Sequence, residues 1–174
     1  SIVPDTGFPV CCAQRGSMTL SVEVPFAHEV TIQQSNNPSV TPEEITAVLA
    51  DGTALTAKGD SAHIFKANGI DNAIVKLLKL LGERFPEDAE KLNDVAGLIN
   101  SWHGETLGID YADELSGALQ MGATTMACED GKLKVRVFII LPVSADADEM
   151  TSRANCKAQT VGASAVKLRA RPSC

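Results

Sequence analysis

The chain has 174 residues and a formal net charge of −7, with 44% hydrophobic residues but only 4% aromatic ones. That length suits one domain, and the excess of carboxylates speaks against a general nucleic-acid binder, because phosphate binding rests on Lys and Arg. The apolar runs fall far short of the roughly 20 residues that a membrane-spanning helix needs, and the few aromatics leave the core to Val, Ile, Leu and Ala.

Residues 1–17 carry Pro4, Pro9, two glycines and the adjacent Cys11 and Cys12. They read as an extended N-terminal arm, and residues 18–174 read as a single α+β domain. From Met18 the pattern alternates: Met18, Leu20, Val22, Val24 and Phe26 share one face, and Thr19, Ser21 and Glu23 share the other. The phase continues through Val30 and Ile32, and Pro25, which cannot donate to a ladder, marks an edge or a bend between two short strands. Residues 35–39 read as a turn. Thr41-Pro42-Glu43-Glu44 predicts a helix start, with Thr41 as cap, Pro42 in the first helical position and Glu44 completing a capping box. Ile45, Val48 and Leu49 would form its buried stripe, and Asp51-Gly52 would end it.

The stretch from Thr53 to Lys66 is ambiguous between short strands and an ordered loop, and Asn68-Gly69 is a turn signal. Two helices follow. Ile74, Leu77, Leu78, Leu81 and Phe85 recur at helical spacing over about 71–85, and Leu92, Val95, Leu98, Ile99 and Trp102 over about 87–103. Pro86 separates them, so the pair is expected to pack antiparallel across a short connection. Gly104 and Gly108 break the chain, and Tyr111–Leu119 reads as a third, shorter helix.

The centre of the expected fold is a hairpin of residues 121–128 and 132–141. Asp130-Gly131 joins its arms, a pair suited to a type I′ turn that needs positive φ at both central residues. Leu133, Val135 and Val137 alternate with Lys132, Lys134 and Arg136, and then Phe138 to Leu141 are all apolar. Such a strand is wet on one face at its start and buried on both faces at its end. Residues 145–155 read as a loop or one turn of helix. A C-terminal strand over 160–170 completes an α+β fold with a mainly antiparallel sheet packed on the helical pair.

Five cysteines, Cys11, Cys12, Cys128, Cys156 and Cys174, form no C-x-x-C pair. That spacing disfavours zinc-finger and thioredoxin-like sites. Their placement near both termini predicts at least one disulfide that joins Cys11 or Cys12 to a cysteine of the C-terminal half. With Ser1 rather than Met at the first position, the reading is a processed or trimmed chain of an extracellular or organelle-lumen protein.

No nucleotide-binding or metalloprotease motif occurs. The best catalytic set is Cys128 as nucleophile with His103 as base and Asp110 to orient it; Ser61 with His63 is no better. Asp146, Asp148 and Glu149 are the candidate metal ligands, although the Gly and the final Glu of an EF-hand loop are missing. Charge is unevenly spread. Between Glu83 and Glu114 nine acidic residues stand against Arg84 and Lys91, whereas from Thr151 onward there are five basic residues and no acidic one.

The sequence thus predicts a non-catalytic structural or assembly subunit that docks peripherally on other protein subunits, by acidic helices or by a basic strand. No cofactor and no nucleic acid is called for. One alternative is a binding module for a lipid-like or pigment-like ligand between sheet and helices. The other is a thiol-dependent enzyme using Cys128.

Overall fold

A computed structural model of the chain describes residues 15–34, 37–66 and 69–172. The expected bridges at Cys11, Cys12 and Cys174, and the arm up to residue 14, lie outside them. Strand β1 spans Gly16–Pro25 and β2 spans Val30–Gln34. The alternation that predicts β1 is its burial: Met18, Leu20, Val22 and Val24 expose almost nothing.

Residues 44–49, expected to be a short helix, form strand β3 (Glu44–Leu49) instead. Ile45, Ala47 and Leu49 are buried in alternation, and the run of Ile, Thr and Val suits a pleat better than a helix. Thr41 does not cap a helix. Its hydroxyl donates to the Asp60 carbonyl at 2.7 Å and accepts from the Ala62 N–H at 2.9 Å, tying the entry of β3 to a later loop. Strand β4 (Ala54–Lys58) pairs antiparallel with β3, so that β2, β3 and β4 form a small sheet.

After a 3-10 turn at Ile64–Lys66 come helices α1 (Ala73–Arg84) and α2 (Ala89–Ile99), which pack on one another across a short 3-10 turn at Pro86–Asp88. The expected helical pair is present. Asn72 caps α1 by accepting from the Ile74 N–H at 2.9 Å, and its amide donates to the Ala123 carbonyl at 3.0 Å. One buried side chain therefore starts the helix and fastens it to the main sheet.

The third helix expected at 111–119 is absent. A minimal hairpin, β5 (Ala112–Asp113) and β6 (Gly117–Ala118), stands there. Asp113 accepts from the backbone and hydroxyl of Ser116, and Gly117 has φ +80°. A local carboxylate turn thus competes successfully with a helix.

Strands β7 (Gln120–Glu129) and β8 (Lys132–Leu141) make the predicted hairpin around Asp130 and Gly131, with φ of +55° and +70°. Helix α3 (Ala147–Gln159), 13 residues long, stands where a loop or one turn of helix is expected. Asp146 caps it by accepting from the N–H groups of Asp148 and Glu149. Strand β9 (Ser164–Arg171) closes the chain.

The main sheet runs β7-β8-β1-β9, all antiparallel, with α1, α2 and α3 packed on it. The whole is a single compact α+β domain, as the sequence predicts. One cluster of buried residues spans both sheets and all three helices, and a second, around Ile64 and Ile140, covers the end of β8 from the other side. That second cluster explains why the last residues of β8 are buried on both faces.

Candidate functional site

The sheet ends at β9. Its inner edge pairs with β1, and its outer edge pairs with no strand among the described residues. The register slips by one residue between Thr19 and Leu20: Leu20 faces Lys167 and Thr19 faces Arg169. Leu168 is the extra residue of this bulge, and a bulged residue is turned out of the ladder. Leu168 is 50% exposed and Val166 46%, two of the large apolar side chains left open to solvent among the described residues.

Leu168 lies where two cavities on the open face of the sheet meet. One, of about 680 Å³, lies among Thr19, Pro38, Phe138, Leu168, Arg169 and Arg171; the other, of about 260 Å³, lies among Ser21, Glu23, Glu129, Lys134, Arg136 and Leu168 and is of mixed charge. Arg136 borders both. Among the described residues, Arg136, Arg169 and Arg171 have no ion-pair partner, whereas Lys167 pairs with Asp148 on α3. The open edge is therefore apolar at its bulge and cationic along its length.

The sequence-derived candidates fall elsewhere. Cys128 is at the far end of β7, where its Sγ contacts the His28 carbonyl at 3.5 Å, and burial pushes its thiol pKa up. His103 is held at the other end of that strand, its Nδ1 donating to the Leu119 carbonyl at 2.9 Å. Leu119 precedes Cys128 by nine residues, which along a strand is roughly 25–30 Å. Asp110 is exposed on the loop before β5. The three are not brought together, and a raised thiol pKa is the reverse of what a nucleophile needs. Ser61 is exposed on the loop before the 3-10 turn, and His63 Nδ1 receives the Phe65 N–H at 3.2 Å within that turn.

Asp146 and Asp148 have structural partners: Asp146 caps α3 and Asp148 pairs with Lys167, while Glu149 is exposed in the first turn of the helix. The expected disulfide framework is corrected at the two cysteines described: Cys128 and Cys156 are both free thiols, Cys128 partly buried and Cys156 exposed. The compartment inferred from bridges loses its support with them. No helix among the described residues is long and apolar enough to cross a membrane.

One constellation escaped the sequence reading. His28, in the loop between β1 and β2, meets Glu87 and Asp88 of the turn before α2, its Nε2 lying 3.1 Å from a carboxylate oxygen of each. About 60 residues separate the two segments in the chain, so no spacing motif announces it.

No family model and no curated protein matches the chain. Among solved structures, the crystal structure of aminoacylhistidine dipeptidase from Vibrio alginolyticus is similar, at a TM-score of 0.44 and 11% identity over 92% of this chain and 45% of that one. The chain thus spans less than half the length of that protein. A likeness of this degree carries no functional argument.

Proposed function

We propose that the protein is a non-catalytic assembly module, and that the β9 edge receives an acidic, extended segment of a partner protein. The observation that carries this reading is the unpaired edge, with exposed Val166 and Leu168 beside arginines that have no ion-pair partner among the described residues. A strand added to such an edge satisfies the row of free backbone groups, and side chains on alternate positions meet the trough. Carboxylates on the incoming strand would face Arg169 and Arg171 of β9.

A second copy of this chain suits the edge poorly. Antiparallel pairing of β9 with its own copy about Leu168 sets Lys167 opposite Arg169, and like charges directly opposed are unfavourable. Basic edge strands resist self-pairing in the same way. The two alternative readings gain less support. The two cavities beside Leu168 lie on the open face of the sheet and not between sheet and helices, and His103, the base expected for Cys128, is held at the opposite end of β7.

The test is fluorescence anisotropy with a labelled extended peptide that alternates Glu with Val or Leu, beside a Lys-containing control. The acidic peptide should bind saturably, more weakly as salt rises, and at least tenfold more weakly to Arg169→Glu. Absence of saturable binding, or equal binding of the two peptides, would overturn the proposal. Self-association in sedimentation that survives Arg169→Glu would also overturn it, in favour of a second copy.

A further inference from the structure

We infer that His28, Glu87 and Asp88 form a binding site for a divalent first-row transition cation of the zinc type. The ligand atoms His28 Nε2, Glu87 Oε1 and Asp88 Oδ2 all lie within 4.8 Å of one another, and the two contacts to Nε2 are each 3.1 Å. Bonds of about 2.0–2.2 Å to a four-coordinate ion place its ligand atoms roughly 3.4 Å apart. The two contacts to Nε2 are a few tenths of an ångström shorter than that spacing.

The imidazole is already aimed. Its ring stacks on Phe85, with centroids 3.9 Å apart and planes 16° apart, and Phe26 meets it edge-on at 5.1 Å. Two aromatic contacts from different elements fix the ring plane, so Nε2 stays turned toward the carboxylates. Lys91 occupies the other oxygen of Asp88, Oδ1, at 3.0 Å, which orients the carboxylate and leaves Oδ2 for the ion. Such support around the ligating side chains is what a metal site requires.

One imidazole nitrogen with two carboxylate oxygens is a borderline donor set. Imidazole suits zinc and its first-row neighbours, while magnesium prefers oxygen alone. Three protein ligands leave the remaining position to water, so the site is of the open kind. The ligands come from the β1–β2 loop and from the start of α2, and an ion would clip that loop to the helical pair. Binding to the folded state alone would then raise thermal stability. The same geometry without an ion is a histidine in hydrogen-bonding contact with two carboxylates, and experiment separates the two.

The full chain, stripped with EDTA and alkylated at its thiols, is titrated with zinc chloride by calorimetry, with magnesium chloride as the control. One saturable zinc site, an upward shift of the melting temperature, and at least tenfold weaker binding in both His28→Gln and Glu87→Gln are expected. Glu87 is exposed, so its variant keeps the fold. Cobalt in place of zinc should give d–d absorption without a thiolate charge-transfer band. No saturable zinc binding, binding lost on alkylation, or binding unchanged in both variants would overturn the assignment.

Discussion

Leu20 of β1 and Val137 of β8 stand directly opposite one another in the central ladder, and neither exposes any surface. Two register positions along, on the same face, Met18 opposes Ile139, which is also fully buried. Two cross-strand pairs on one face thus sit at the middle of the core. Truncating Ile139 to Ala, or Val137 to Ala, removes buried methyl groups and leaves a cavity between sheet and helices. Urea unfolding should show a loss of roughly 2–4 kcal/mol with an unchanged m-value. A loss close to zero would mean that β8 is not central.

The turn that feeds β8 can be tested apart from its packing. A Cβ on Gly131 would meet nothing within 4 Å, so any cost of a side chain there is conformational. Gly131 has φ +70°, in the left-handed region that β-branched residues avoid. Gly131→Val should therefore destabilise the protein by about 1 kcal/mol or more, read from the urea midpoint. No change would indicate that the hairpin does not depend on this turn.

Gly59 presents the opposite case. A Cβ there would lie 2.6 Å from the backbone nitrogen of Ala73 and 2.7 Å from the Asp71 carbonyl oxygen. Both atoms belong to the start of α1, which Asn72 fastens to β7, so they cannot yield cheaply. Gly59→Ala should cost on the order of 1–3 kcal/mol by thermal or urea unfolding. Gly97, inside α2, has open space around its missing Cβ, and Gly97→Ala should stabilise by about 0.5–1 kcal/mol. Equal effects at the two positions would refute the close approach at Gly59.

Where a single period governs the chain, sequence and structure agree. Met18 to Val24 alternates because one face of β1 is core, and Ile74 to Leu81 recurs every three or four residues because one stripe of α1 is core. The failures share a cause. Residues 41–44 carry a capping signature, but Thr41 spends its hydroxyl on Asp60 and Ala62, partners about twenty residues away. Residues 111–119 look helical until Ser144 is brought next to Asp113. Acidic residues at 146–149 resemble a metal loop, yet their order suits a helix start, with Asp146 as the cap. The His28 cluster and the bulge that turns out Leu168 depend on tertiary placement, so neither leaves a local pattern to read.

Asp113 gives the pH test. Its carboxylate accepts from the Ser116 backbone and hydroxyl at 2.6 and 2.7 Å, and from the Ser144 backbone and hydroxyl at 3.0 and 2.8 Å. These donors, the Ser116 hydroxyl foremost, hold its pKa well below the ordinary carboxylate range. The pair of serines joins the β5–β6 hairpin to the turn that follows β8. A carboxylate whose folded pKa is depressed adds stability that is fully present above the unfolded value of about 3.9. That stability is lost as pH falls below this value toward the folded one. Asp113→Asn retains one oxygen acceptor and loses the charge, so it should melt below the wild type at about pH 7 and by the same margin down to about pH 5. The margin should then narrow steadily between about pH 4 and about pH 2, because the wild type alone loses this contribution. Thermal melts of both proteins across that range, compared as a difference, remove the acid sensitivity of every other group. A margin that stays constant into the acid range would show that the serine contacts do not depend on the charge of Asp113.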